Sequence, residues 1–253
     1  MTVHAAPAFY ARRGSGLADW WTLLHPPYTL WHLSYVVLGA AIARTRDWAA
    51  LGLSVLAFFL AVGLAAHALD ELRGRPLQTG IRTSTLWVVA WLALAAAVVL
   101  GIIGAFLWDG PNWALAAAVP LGATLVVSYN LELFDGRLHN DHAFAWGWGG
   151  FPVVVGYLAQ SPRPSLTNVA AAVLATLAAV STSYAQRALS TPARRLRRHT
   201  ASVSGSLTRE DGTVQPLDQA TLLVPLERGL RALSYAAPLI ATAVWLAGAG
   251  RVP

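Results

Sequence analysis

Apolar stretches of about 20 residues recur along this chain, and they limit its possible folds more than any other feature. A helix needs about 20 mostly apolar residues to cross the hydrocarbon core of a bilayer. Seven stretches reach or approach that length, at about 27–43, 49–69, 84–107, 113–133, 143–160, 166–186 and 231–250. The first and fifth are short, which suits tilted or partly interfacial helices. The breaks between stretches carry Pro, Gly, Asp or Arg, as helix breakers should. Of the 253 residues 56% are hydrophobic and only 12% charged, about half the charged share of an ordinary soluble domain. Too little charge remains to cover a water-facing surface, so lipid must cover much of it. The expected fold is an all-α polytopic membrane helix bundle with about seven transmembrane helices. A tail over 1–26 precedes a single membrane domain over 27–253, which carries one sizeable loop at about 187–230.

Orientation follows from where the arginines fall. On one side lie Arg12, Arg13, Arg73, Arg75, Arg82, Arg137, Arg187, Arg194, Arg195, Arg197, Arg198, Arg209, Arg228 and Arg231. Arg44, Arg46, Arg163 and Arg251 lie on the other. The split of 14 to 4 makes the first side cytoplasmic and favours an odd number of spans. Trp48, Trp108, Trp113 and Trp245 then sit near the outer ends, where an aromatic belt belongs. The first 20 residues are polar, with no apolar core segment. They read as a flexible cytoplasmic tail without a cleavable signal peptide. The expected location is the cell (inner) membrane.

Composition removes several chemistries. There are no cysteines, which excludes disulfides, zinc–thiolate sites and thiol catalysis. All 18 basic residues are Arg, which excludes a Schiff-base lysine and a P-loop lysine. The formal net charge of +6 is sorted by membrane topology rather than gathered on one surface, so no nucleic-acid partner is expected.

The loop at 187–230 opens with TPARRLRRHT, a basic run suited to anionic lipid heads or to a phosphate clamp. An alternating stretch around Asp211-Gly212 suits a small hairpin. The segment LDQATLLVPLERGLRAL has the pattern of an interfacial amphipathic helix. GWGGF at 147–151 lies within an apolar span, where close helix packing explains it better than phosphate binding.

Two polar clusters stand out, because each ionisable group costs roughly 2.5–3.5 kcal/mol at the bilayer centre. Such groups are functional candidates by default. In AAHALDELRGRP, His67, Asp70 and Glu71 share one helical face by their spacing. In YNLELFDGRLHNDH, Glu132, Asp135 and His139 share a face if the helix continues that far, with Asp141 and His142 following. His25 and His32 add imidazoles at the first stretch. If the clusters converge, Asp70 or Glu71 should share a cation with Glu132 or Asp135. Carboxylates suit Mg²⁺, and carboxylate with imidazole also suits Fe, Mn or Zn.

The sequence resembles the UbiA-type intramembrane prenyltransferase superfamily. In that family Asp-rich motifs at the cytoplasmic ends of helices 2 and 6 bind Mg²⁺ and a diphosphate. AAHALDELRGRP falls where the family carries Asn-Asp-x-x-Asp-x-x-x-Asp. Asp70 matches the middle acid, while Ala66, His67 and Gly74 stand where the other motif residues would be. AWGWGGFPVVVGYLAQ is similar to the Gly-containing fifth helix. After the sixth stretch SYAQRALSTPARRLRR carries no acid. The resemblance therefore leaves the second set of carboxylates to Glu132 and Asp135.

The resemblance implies a metal-dependent transferase acting on an isoprenyl diphosphate or related lipid at the cytoplasmic face. Asp70, Glu71, Glu132 and Asp135 would be its catalytic acids and metal ligands. His67, His139 and His142 are metal-ligand candidates from the residues themselves and favour an oxidoreductase reading. Arg73, Arg75, Arg137, Arg194, Arg195, Arg197 and Arg198 would hold phosphate. Trp87, Trp146, Trp148 and His32 would line the substrate chamber. The residues leave two other readings open. One is a membrane oxidoreductase with a His/carboxylate metal site. The other is a non-catalytic lipid- or partner-binding membrane protein with a degenerate site.

Overall fold

The computed structural model describes residues 6–12, 14–107, 110–160 and 165–249. Arg13, Trp108, Arg163 and Arg251 lie outside the described residues. Among these residues there are eight helices and one hairpin. They are α1 (Leu17–Leu23), α2 (Pro26–Ile42), α3 (Trp48–Leu72) and α4 (Thr83–Phe106). They continue as α5 (Trp113–Asn130), α6, α7 (Leu166–Arg198), strands β1 (Ser206–Thr208) and β2 (Val214–Pro216), and α8 (Gln219–Ala249). Helix α6 is one continuous rod made of Asp141–Phe144, Ala145–Gly150 and Phe151–Gln160.

Five helices, α3, α4, α5, α7 and α8, are long and apolar enough to cross a membrane. Only 22–33% of their apolar windows is buried inside the protein, so most of that apolar surface points outward. Val88, Leu92, Leu174 and Leu239 are all exposed. In water such a surface would be an aggregation hazard; in lipid it is the solvent-matched face.

Helix α2 is the centre of the bundle and packs against α3, α6 and α8. Its approach to α6 is backbone to backbone. A Cβ on Gly39 would strike the Val153 carbonyl, and one on Gly156 would strike the Val36 carbonyl. Small residues permit this kind of contact between apolar helices. Gly149 presses in the same way on Ala179 and Ser183 of α7. Close packing is therefore the role of the Gly-rich stretch at 147–151.

Two stretches have π-helical geometry, Phe59–Ala66 within α3 and Ala145–Gly150 within α6. Each frees backbone carbonyls from regular pairing, and such bulges recur at functional sites.

Several expectations need correction. Helix α5 stops at Asn130, so the 132/135/139 helical face does not exist. Glu132, Phe134 and Asp135 instead take positive φ of 52°, 57° and 57° in a tight turn before Gly136. Such backbone costs about 1–3 kcal/mol per residue and needs surrounding structure to hold it. Helix α7 runs on to Arg198, so the connecting segment starts there rather than at 187. The segment expected to lie in the interface is the first half of a continuous α8. Its Leu223 and Leu230 are buried against Ala193, Leu189 and Leu196 of α7. Trp48 and Trp113 are exposed, but Trp245 is buried against Trp48 and beneath the Arg46 guanidinium. Trp245 therefore faces protein rather than lipid. The hairpin forms as expected, with Leu207 opposite Gln215.

Candidate functional site

One end of the bundle encloses a cavity of about 430 Å³. Its walls come from the start of α2, the end of α3, the end of α5, the start of α6, the end of α7 and the first half of α8. The chain before α1 completes it. Pro7, Ala8, Phe9 and Tyr10 line the cavity rather than forming a free tail. This strap is held by main-chain and aromatic contacts. Arg197 Nη1 donates to the Ala6 carbonyl at 3.1 Å and Arg198 Nε to the Pro7 carbonyl at 3.1 Å. Trp21 Nε1 donates to the Tyr10 carbonyl at 3.1 Å. Phe9 and Tyr10 pack edge-on against Tyr28, and Arg231 lies over Phe9.

Charge in the cavity is unbalanced. Six arginines line it (Arg73, Arg187, Arg194, Arg195, Arg197, Arg198) against three acids, Asp70, Glu132 and Glu227. Arg73 pairs with Glu132 at 2.9 Å, Arg197 with Glu227, and Arg187 with Asp141 at 2.6 Å. Among the described residues no carboxylate makes an ion pair with Arg194, Arg195 or Arg198. Asp70 is the cavity acid left outside these pairs. The surplus is therefore cationic, and an anion entering here meets guanidinium groups already partly dehydrated, where charge attraction is stronger than in water.

The expected site residues divide into two groups. Asp70, Glu132, His67, His139, His32, Trp148, Arg73, Arg194, Arg195, Arg197 and Arg198 all line this cavity. Glu71, Asp135, Arg75, Arg137, His142 and Trp146 do not. Glu71 is fully buried and accepts from Leu77 N (2.9 Å), Thr79 N (2.8 Å) and Thr79 Oγ1 (2.9 Å). Arg75 clamps the same loop through the Ile81 carbonyl (2.7 Å) and Thr83 Oγ1 (2.6 Å). These two side chains shape the α3–α4 connection. Asp135 and Arg137 are exposed on the 131–138 turn. His142 Nδ1 pairs with the Tyr184 hydroxyl on the outer side of α7. Trp146 and Trp87 are exposed on the outside of their helices.

A divalent-ion site of the expected kind does not fit these positions. Glu71 spends both oxygens on the loop, Glu132 is held by Arg73, and Asp135 lies elsewhere. Among the described residues no group of three or more His, Asp or Glu is placed to hold a metal ion.

Several cavity residues were not singled out as site residues by sequence reasoning, among them four that bring an ionisable or amide side chain to the lining. His25 is one; its ring lies 4.1 Å from that of His67. Burial, the neighbouring His67 and the Arg198 and Arg194 charges hold its imidazole well below the ordinary value of 6.5. Gln186 and Arg187, on α7, and Glu227, on α8, are the others. The signal for Glu227 was present: it is an acid within an amphipathic helical stretch, between Leu226 and Leu230, which face protein. Gln186 carried no signal.

A second, apolar space of about 100 Å³ lies between α3, α4, α5 and α6. Mainly Ala, Gly, Leu, Val and Phe line it, with Ser54 among them, from Ala50 near the far end of α3 to Ala159 of α6. Trp148, only 6% exposed, is a wall of both spaces. Phe144 stacks parallel to Trp148 at 5.9 Å, and Tyr129 packs against it at 4.4 Å. Comparison with known proteins adds nothing to this geometry: no family model, curated protein or solved structure matches the chain.

Proposed function

We propose that this chain is a seven-span membrane protein with its N-terminus and cavity on the cytoplasmic side. It binds an isoprenyl diphosphate or a related phosphate-bearing lipid there and acts on it as a transferase. The observation that carries the reading is the meeting of two unlike spaces at Trp148, one with surplus arginine and one lined almost entirely by apolar residues. A ligand matched to both has an anionic head and an apolar tail.

The remaining supports are physical. The cavity gathers the starts of α2 and α6 and the first half of α8 with the ends of α3, α5 and α7. This is the alternation expected of an antiparallel bundle, and arginines cluster at these ends. Arg194, Arg195 and Arg198 supply the positive charge that a departing diphosphate needs. Trp148, Tyr129 and Phe144 present ring faces of the kind that favour a developing carbocation. Asp70 is the unpaired cavity acid, and it is also the acid that matches the motif. The reading assigns charge neutralisation chiefly to guanidinium groups.

Thermal unfolding of the protein in nanodiscs tests this. Geranylgeranyl diphosphate should raise the midpoint more than geranylgeraniol or inorganic diphosphate does alone. Repeating the titration with and without Mg²⁺ reads the metal dependence directly. Equal effects of the three compounds would sink the reading. Stabilisation without release of diphosphate in the presence of acceptor extracts would leave a non-catalytic lipid-binding protein.

A further inference from the structure

Part of the cavity lining offers hydrogen-bond acceptors beside the arginines. His32, His67 and His139 come from α2, α3 and the turn before α6, yet they share one arrangement. Nδ1 of His32 lies 2.9 Å from the Trp148 carbonyl, Nδ1 of His67 3.1 Å from the Gly63 carbonyl, and Nδ1 of His139 3.0 Å from the Tyr129 carbonyl. A carbonyl oxygen only accepts, so each Nδ1 carries the ring proton. A neutral imidazole has one such proton, which leaves each Nε2 as a bare lone pair. Two of the three carbonyls belong to the π-helical stretches, where backbone pairing is irregular. Among the described residues none of these Nε2 atoms has a hydrogen-bond partner.

Two further polar atoms of residues lining the same cavity are unsatisfied. Gln186, 3% exposed, leaves Oε1 buried without a partner, and so does His25 with Nε2. Buried polar atoms are normally paired, and an exception is a candidate place for something else to bind. His67 and His32 both act electrostatically on His25, so the three imidazoles form one neighbourhood.

We propose that this part of the lining is a subsite for a neutral protic group, a hydroxyl or an amine N–H, which donates to Nε2 of His67 or His32 and to Gln186 Oε1. The anionic head lies against the arginines of the same cavity. A carbonyl-bonded Nδ1 also poises histidine as a metal ligand, so a divalent ion is the competing occupant. Among the described residues the imidazoles do not converge into a three-donor group, whereas a protic group needs only one or two acceptors. The proposal rests on the cavity being a ligand site and is independent of the lipid's identity.

The test uses the full chain in nanodiscs, ¹⁵N-labelled at its 7 histidines, titrated with phenol and with anisole, which lacks the hydroxyl proton. Ring-nitrogen signals of His32 and His67, assigned by single substitution, should move saturably with phenol and stay still with anisole. His67→Phe should weaken the phenol response at His32 roughly fivefold, about the worth of one hydrogen bond. If that variant does not fold, Gln186→Met is read the same way. Equal responses to both probes, no response to either, or a response only to Zn²⁺ would overturn the proposal. An intact phenol response beside a failed geranylgeranyl diphosphate titration would remove the proposed function and leave this subsite standing.

Discussion

At the scale of single residues, Asp70 and Glu71 are neighbours with opposite roles. Spacing places both on one helical face, but α3 ends at Leu72 and the chain then folds back over Glu71. Its three donors, Leu77 N, Thr79 N and Thr79 Oγ1, make it the anchor of that loop. Glu71→Ala strands buried donors at about 1–3 kcal/mol each, so a drop of roughly 3 kcal/mol or more in unfolding free energy is expected. Asp70→Asn keeps its shape and should leave the unfolding midpoint of the ligand-free protein nearly unchanged. It should abolish most of the midpoint shift given by geranylgeranyl diphosphate. Loss of ligand response in Glu71→Gln with folding intact, and none in Asp70→Asn, would reverse the two assignments. His25 gives a pH signature. Its folded-state value lies below 6.5, so the unfolded chain takes up the proton first. The stability it supports is full above about pH 6.5 and falls as pH drops below that value. His25→Gln, beside Tyr10, Tyr28, His67, Arg194 and Arg198, should flatten the decline of the unfolding midpoint between neutral and mildly acidic pH. An unchanged slope would assign that decline to the other groups.

At the scale of elements, the helices were legible and the ends of helices were not. Apolar runs encode a rod through composition summed over about 20 residues, and the rods stand where the runs are. Where a rod stops depends on single residues and tertiary contacts. The 132/135/139 face failed because Asn130 closes α5 by bonding its own side chain to the Val126 carbonyl at 2.7 Å, and the Asp135-Gly136 turn follows. The π-helical stretches left no trace in the sequence either, since FLAVGLAA and AWGWGG read as ordinary apolar helix. The strap is the sharpest miss. A polar, Gly-rich segment has the composition of a free tail, but Phe9 and Tyr10 pack on His25 and Tyr28, and Arg197 and Arg198 hold the strap's carbonyls from far along the chain. Tyr10 is 9% exposed, so Tyr10→Ala should lower unfolding free energy by about 3–5 kcal/mol, the usual cost of emptying an aromatic site. A free tail would give no change. Denaturation in nanodiscs, with Tyr10→Phe retained as the ring-preserving control, distinguishes the two.

At the scale of the whole molecule, the cavity draws on residues from 7 to 230, and no local spacing could announce that assembly. Sequence reasoning reached the cavity's position, because the Arg count placed the polar ends of the rods on one side. It could not say which acids would be spent on loops and which would face the cavity. The same alternation yields the most direct test of the architecture. The strap, the α3–α4 connection, the 131–138 turn and the α7–α8 connection all border one cavity, so in a seven-span protein all four lie on the cytoplasmic side. The α2–α3 connection with Arg46, and the end of α8, lie on the other. A reporter fused after Arg198 or within the exposed 206–216 hairpin should therefore be active only as a cytoplasmic reporter. One fused after Pro253 should be active only as an external one. The 33 residues of α7 and 31 of α8 exceed what a bilayer needs, and their surplus projects to the cavity side. Cysteines introduced one at a time into this cysteine-free chain should show the same division. Positions 202 and 212 should react with impermeant maleimide only after the membrane is opened, and position 45 before. Labelling of 45 and 212 from the same side would reduce the spans to an even number and put the cavity mouth in the wrong compartment for the proposed topology.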